Sequence, residues 1–279
     1  MILQAGPETL TWPKEPGSQC KNITMLSVLT LNLRFGLADD GPNSWQYRKK
    51  GFPYLFEKYR ADFIGLQEAN DFQTDFLNEL LTEYDFIGKR SPSPSFWQNN
   101  IIFYKKTWTC IYREHFFLSP TPTIPSRFRE SLWPRQCTIG MFKNDSHMII
   151  CVNTHFDFDT SVQIKSAKLI MERLLRFPSD IPVIMVGDFN AIPFSPCYNI
   201  FTGHGRKPEE KECYFKNAFK KPFPGTHHGF TGNINGDYID WILYHGKIFK
   251  QDCMVIRDTI DGLYPSDHFP LYATFKNIE

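Results

Sequence analysis

Six times along this chain, an apolar run rich in β-branched residues breaks off into a loop that opens on Asn, Glu, His or Asp. The instances are Leu31-Asn32-Leu33-Arg34, Leu66-Gln67-Glu68-Ala69, Asn153-Thr154-His155-Phe156, Gly187-Asp188-Phe189-Asn190-Ala191, Tyr238-Ile239-Asp240-Trp241 and Ser266-Asp267-His268-Phe269-Pro270. Runs of this kind form buried strands. Polar residues at the ends of such strands collect along one sheet edge, where rigid elements support a site. Any one of them reads as a strand-end cap or a turn, but six in order are hard to explain that way. The chain must therefore fold so that several strand ends converge.

The remaining pattern supplies the supports. Strands are expected at 24–32, 62–67, 100–105, 138–142, 147–154, 182–186, 238–244, 254–257 and 271–275. Helical spacing of apolar residues marks Arg48–Tyr59, with Pro53 near its start, then the segment carrying Phe72, Phe76, Leu77 and Leu80, and Val162–Phe177. The proline-bearing stretches 91–96 and 119–125 read as loops, and residues 1–24 as an irregular arm. No repeat, heptad or composition shift divides 25–279, so an α/β sandwich in one domain is expected.

Composition narrows the function classes. A formal net charge of +1 leaves no electrostatic footprint of a protein that coats nucleic acid, yet permits an enzyme that touches a few phosphates. The seven cysteines (Cys20, Cys110, Cys137, Cys151, Cys197, Cys213 and Cys253) contain no Cys-x-x-Cys pair, which argues against a zinc or disulfide framework and for buried thiols. No basic-then-apolar leader and no membrane-length run are visible, so a cytoplasmic monomer with no membrane insertion is expected. The two N-x-S/T sequons, at Asn22 and Asn144, then read as chance matches.

The converging residues have a coherent chemistry. Glu68 and Asp267, with Asn32 and Asp188 as further candidates, offer hard oxygen ligands suited to Mg²⁺ or Mn²⁺. His155 and His268 can bind phosphoryl oxygens or move protons near neutral pH, and Asp240 can hold a histidine's tautomer. Asp188 and Asn190 are two residues apart and would share one face of an extended segment, one orienting a water and the other steadying a phosphorane.

These motifs, in this order and over about residues 26–275, resemble those of the endonuclease/exonuclease/phosphatase (DNase I-like) superfamily. The resemblance implies a four-layer α/β/β/α sandwich, two mixed or mostly antiparallel sheets flanked by helices, with the site at one edge. It implies metal-assisted attack of water on a phosphoester. Carried to this chain, Glu68 is the main metal ligand with Asn32 and Asp267 near it, Asp188 activates water and Asn190 binds phosphate. His268, partnered by Asp240, stabilises the transition state, and His155 is the second catalytic histidine. Asn43-Ser44-Trp45, Trp133-Pro134-Arg135 and Gly225-Thr226-His227-His228-Gly229 resemble the superfamily's metal-dependent hydrolase branch rather than its apurinic endonucleases.

The substrate is expected to be a phosphate ester, and a nucleic acid is one possibility. Arg48, Trp133, Arg135 and His227 are candidate substrate contacts, since guanidinium matches phosphate in a fork and tryptophan stacks on a base or sugar. A cleft wall, or a turn after Gly225, explains them as readily. A nuclease and a catalytically inactive binding protein of the same fold are the alternatives. Retention of Glu68, Asp188, Asn190, Asp267 and His268 weighs against the inactive form.

Overall fold

The structure is a computed structural model that describes residues 25–145, 147–205 and 214–277. The arm expected at 1–24, with Cys20 and the first sequon, lies outside these residues, as do Ser146 of the second sequon and Cys213.

The apolar runs pair into two six-stranded sheets. The first comprises β1 (Met25–Asn32), β2 (Phe63–Ala69), β3 (Tyr84–Ile87), β4 (Asn99–Lys105), β11 (Ile248–Val255) and β12 (Leu271–Asn277), in the order β11-β12-β1-β2-β4-β3. The second comprises β5 (Thr109–Phe117), β6 (Gln136–Lys143), β7 (Met148–His155), β8 (Val183–Asp188), β9 (Lys216–Asn217) and β10 (Asp240–His245), in the order β5-β6-β7-β8-β10-β9. β1 runs parallel to β2 and β7 parallel to β8, while the other neighbours are antiparallel. Both sheets are therefore mixed.

Alternation along the strands builds the layers. Leu29 and Leu31 of β1 pack outward, in one cluster with Ile64 and Phe103 and with Phe52, Leu55 and Leu77. The last three come from helices α2 (Phe52–Lys58) and α3 (Asp71–Leu80). Leu26 and Val28 face the other way, into a core shared with Ile139, Val152 and Val186 of the second sheet. That core continues through the second sheet to Ala167 and Ile170 of α4 (Thr160–Leu174) and Phe201 of α5 (Pro196–Thr202). The order of layers is α/β/β/α, as the resemblance implies.

Two glycines allow close approaches. A side chain at Gly65 would collide with Val186 of the facing sheet, and one at Gly187 with the carbonyl of Thr154 on the neighbouring strand. A buried polar tie also crosses between the sheets. Gln67 Nε2 donates to Asn153 Oδ1 at 2.6 Å, and Asn153 Nδ2 donates back to the Leu66 and Ile101 carbonyls at 2.9 and 2.8 Å. Asn100 Nδ2 reaches the Gln136 carbonyl at 2.7 Å, and Thr138 Oγ1 the Asn100 carbonyl at 2.6 Å. Buried amides are costly unless satisfied, so this network holds the sheets in one register.

Several boundaries differ from expectation for local reasons. The helix expected over Arg48–Tyr59 is split into α1 (Trp45–Arg48) and α2 by a 3₁₀ turn at Lys49–Gly51. Pro53 sits in the first turn of α2, where its missing N–H is harmless. β5 was not expected, because Arg113, Glu114 and His115 interrupt its apolar residues; its outer face is polar and partly exposed. β11 begins at Ile248 rather than Met254, since its exposed alternate positions dilute the apolar signal. Of the five described cysteines, all free, Cys137, Cys151 and Cys197 are buried and Cys110 and Cys253 partly so. No helix among the described residues is long and apolar enough to cross a membrane.

Candidate active site

Topology brings the six polar strand ends together. Because β1, β2, β7 and β8 end where the antiparallel β10 and β12 begin, their termini share one edge of the sandwich. Asn32, Glu68, His155 and Asp188 come from the first four, Asp240 opens β10, and Ser266–Phe269 leads into β12. Asp188 pairs directly with both Asp240 and His155 in the ladder.

At the centre, Asn32 Nδ2 donates to Asp188 Oδ2 at 2.9 Å and to Glu68 Oε1 at 3.1 Å. Glu68 Oε2 accepts the Phe35 N–H at 2.6 Å. Two carboxylates thus turn toward one point with only an amide between them. Glu68 holds this position with φ of 57°, beside the register shift where β2 pairs with β4. Arg34 and Asn190 also lie in the left-handed region, at 62° and 46°. Non-glycine residues avoid that region unless their surroundings impose it.

His268 and His155 sit in opposite electrostatic settings. His268 Nδ1 lies 2.8 Å from Asp240 Oδ2, and Nε2 lies 3.9 Å from Asp188 Oδ2. Burial works against its charge, but Asp240, Asp188 and Asp267 together push it up to about 10. His155 Nε2 lies 3.4 Å from Asp188 Oδ2, yet Asn190 Nδ2 is 3.1 Å away and Arg135 Nη1 is 3.2 Å from both ring nitrogens. Burial, then the charges of Arg135 and His268, hold His155 well below its ordinary range. The two imidazoles are thus biased in opposite directions, His268 toward its cation and His155 toward its neutral form. Burial and then Asp240 raise Asp188 to about 7, against the pull of His268, the Asn32 amide and the Asn190 N–H.

Asp188 and Asn190 meet by a different route from the extended face expected for them. β8 stops at Asp188, and the Asn190 N–H folds back onto Asp188 Oδ1 at 2.9 Å. Between them Phe189 turns inward and stacks on Trp241, with centroids 4.2 Å apart. Asn190 Nδ2 also reaches the Phe156 carbonyl at 3.0 Å, which aims its amide at His155.

The expected substrate contacts divide. Trp133 is 64% exposed. With Arg135 it lines a cleft of about 470 Å³ that also takes in Glu68 and His155. His227 is exposed, its ring 4.8 Å from that of His268. Arg48 lies elsewhere. It is 1% exposed, and its guanidinium donates to the carbonyls of Asn43, Leu33 and Pro265 at 2.5, 3.1 and 2.5 Å. Burial lowers it to about 10. It links the segment after Asn32 to the one before Ser266, with no nitrogen turned to the cleft by any of these bonds.

Sequence reasoning missed several supporting residues. Thr226 is fully buried, and its hydroxyl accepts the Ile239 and Asp240 N–H groups at 3.1 and 3.2 Å, setting the start of β10. Gln163 of α4 donates to the Asn190 and Asp157 carbonyls, both at 2.8 Å. Asn70 and Gln73 form a capping box on α3 while holding Gly36 and Arg34. Only that box had a legible signal, the Asn-x-x-Gln spacing before an apolar run.

Potential metal ligands among the described residues group most tightly as Asp188, Asp240 and His268, and as His227, Asp267 and His268. In both groups His268 already has its Nδ1 committed to Asp240. Glu68 and Asp267 offer carboxylate oxygens and no thiol, donors that fit a hard divalent cation, while Asn32 turns its amide nitrogen to Glu68 and its Oδ1 to the Arg34 N–H at 2.8 Å.

The arrangement agrees with what related proteins reveal. Residues 29–268 match the model described as the Endonuclease/Exonuclease/phosphatase family. The chain belongs to this family. A family protein of known structure from Bacteroides thetaiotaomicron superposes with a TM-score of 0.82 at 25% identity, covering 92% of this chain and 99% of that one. A mannosyl-6-phosphatase from the same organism gives 0.80 at 25% identity, with coverage of 90% and 99%. The Carbon catabolite repressor protein 4 homolog 4 of Arabidopsis thaliana is 26% identical over 163 residues, 47% of this chain. The matched stretch spans 38% of that relative's length. The family comprises hydrolases that act on phosphoester bonds, and it is generally dependent on a divalent metal.

Proposed function

We propose that this protein is a Mg²⁺- or Mn²⁺-dependent phosphoesterase whose chemical step is in-line attack of water on phosphorus. The observation that carries this reading is the convergence, at one edge of the sandwich, of Glu68 and Asp188 on the Asn32 amide, with His155 Nε2 3.4 Å from Asp188 and His268 Nδ1 2.8 Å from Asp240. Glu68, Asn32 and Asp267 would hold the cation, which when bound polarises the phosphoryl and leaving oxygens as a Lewis acid.

The chain's own groups divide the remaining work. Asp188 is pushed up to about 7, near neutrality, which suits a base that takes a proton from the attacking water. Asn190 keeps one amide N–H on the Phe156 carbonyl and would turn the other from His155 to a phosphoryl oxygen. His268 keeps its proton because Asp240 lies 2.8 Å away, so its Nε2 can donate to charge that grows on phosphorus in the transition state. His155 stays neutral, and Arg135 and Asn190 orient it beside the same oxygens. Burial of these groups excludes bulk water and strengthens each interaction.

The mannosyl-6-phosphatase among the similar proteins acts, by its name, on a phosphomonoester; that supports a phosphatase activity here as well. The test is hydrolysis of p-nitrophenyl phosphate and bis-p-nitrophenyl phosphate with saturating Mg²⁺ or Mn²⁺, by wild type, chelator-treated protein and Glu68→Gln. Chelation should abolish turnover reversibly, and the variant should lose kcat by at least ~10². Full activity in the variant with metal saturating would overturn the assignment of Glu68.

A further inference from the structure

The two carboxylates assigned to the cation, on Glu68 and Asp267, are not tied to each other by a sheet ladder. Asn32 pairs with Gln67 across β1 and β2, and the Leu33 N–H donates to the Gln67 carbonyl at 3.0 Å, so the ladder reaches Glu68 from one side only. Asp267 lies on the loop before β12, and the pairing of β1 with β12 stops at Thr30 and Leu271. The Asp267 carbonyl accepts the His228 and Gly229 N–H groups, which lead to β10 and not to β2.

Side chains make the remaining join. Ser266 Oγ donates to the Asn32 carbonyl at 2.5 Å. Arg48 Nη1 donates to the Leu33 carbonyl at 3.1 Å and to the Pro265 carbonyl at 2.5 Å. Leu33 follows Asn32 directly, and Pro265 stands two residues before Asp267. The Leu33 peptide thus bonds to the Glu68 segment through its N–H and, through its carbonyl and Arg48, to the Asp267 segment.

Arg48 is itself firmly held. It is 1% exposed, its Nε donates to the Asn43 carbonyl, and the rings of Trp45 and Phe230 lie 5.7 and 5.4 Å from its guanidinium carbon. Its Nη2 is buried without a partner. An apolar side chain of similar volume would fill this space without burying a charge, so packing alone gives no reason for a guanidinium here. What the guanidinium adds is a rigid, planar set of donors that keeps carbonyls of different segments at a fixed spacing.

Resting on the phosphoesterase reading above, we propose that Arg48 is a positioning residue of the cation site. It sets the spacing of Asp267 from Glu68, and through it the affinity for Mg²⁺ or Mn²⁺, while touching neither the ion nor the substrate. Mg²⁺ demands near-ideal geometry of its oxygen ligands, and removing a group that orients a ligand costs roughly 10- to 100-fold in metal affinity.

Loss of Arg48 has two consequences of opposite sign. The segments gain freedom, which weakens binding, and a buried positive charge near Asp267 and Glu68 disappears, which favours a dication. Spacing dominates, because Arg48 bonds directly to both segments, whereas Asp40 offsets part of its charge. Arg48→Lys isolates the spacing: it keeps the charge, but a single ammonium lacks the fork that reaches all three carbonyls.

The test is calorimetric titration of Mn²⁺ into chelator-treated wild type, Arg48→Lys, Arg48→Met and Glu68→Gln, well below their unfolding midpoints. Both Arg48 variants should bind Mn²⁺ at least ~10-fold more weakly at unchanged stoichiometry. With metal raised to saturation, their kcat should return to within ~3-fold of wild type. A merely structural role would instead lower the stoichiometry, as part of the sample unfolds, and leave Kd alone. An unchanged Kd in Arg48→Lys, or tighter binding in Arg48→Met, would overturn the proposal.

Glu68→Gln keeps this claim apart from the ligand assignment. Weaker binding there with an unchanged Kd in Arg48→Lys rejects the clamp and leaves Glu68 as a ligand; the reverse result keeps the clamp and rejects Glu68. Should the Arg48 variants not fold, Ser266→Ala decides, since it cuts the parallel tie to the Asn32 carbonyl and leaves Arg48 in place. A Kd weakened by ~3-fold or more supports the join between the segments, and an unchanged one overturns it.

Discussion

The inner site and the outer cleft differ in how they are built. Asn32, Asp188, Asp240, His155 and His268 stand at strand ends, are nearly buried, and each is held by at least one side-chain hydrogen bond. Phe96, Trp133 and Phe158 stand on loops, largely exposed. The contrast teaches a division of labour. The residues at the joined strand ends are fixed by the sheet ladder, whereas the exposed aromatics of the cleft are fixed only by short loops. Changes inside should therefore act on kcat, and changes outside on substrate preference.

The sharpest test removes the partner of the cationic histidine. Asp240→Asn should lower kcat by about 10² with little change in KM, because His268 loses the charge that keeps it protonated in a buried setting. Steady-state kinetics across substrate concentration would check this. A loss confined to KM would place Asp240 with the outer cleft instead.

Arg48→Met comes next and reads stability rather than rate. It would leave the Asn43, Leu33 and Pro265 carbonyls without their shared donor, at a cost of about 3 kcal/mol in all. Denaturant melts would reveal it as a lowered midpoint at constant slope. An unchanged midpoint would mean that those carbonyls find other donors, and that Arg48 is not the clamp between the two segments.

A smaller effect is expected at Thr226→Val, which keeps the shape but removes the acceptor for two backbone N–H groups. A stability loss of about 1–2 kcal/mol should accompany a fall in kcat larger than any change in KM. If stability falls but the kinetic constants do not, Thr226 supports the strand and not the Asp240–His268 pair. Smallest of all is Phe158→Ala, which should move stability by no more than about 0.5 kcal/mol in the same melts. A larger loss would make Phe158 part of the packing and blur the division between the two regions.

What could be read from sequence follows the same division. The inner residues were legible because each terminates an apolar run, and their order along the chain matched a family. The α/β class followed from strands interspersed with helices, and the four layers from the family resemblance. β5 and β11 were poorly legible because they lie at sheet edges, and half their residues face outward. Arg48 reads as a substrate contact from its guanidinium alone, but its burial is set by loops that arrive from Leu33 and Pro265, 15 and 217 residues away. Thr226 was invisible as a support because its partners lie more than ten residues downstream.

The tie from Gln67 to Asn153 carries a further consequence. Asn32, Glu68, Asp267 and His268 belong to one sheet and its loops, and His155, Asp188, Asn190 and Asp240 to the other. The site is thus a joint between two plates, and that amide pair is its dowel. A lateral slip between the plates, harmless to an oily core that can repack, would carry His268 away from Asp240 and split the machine in two.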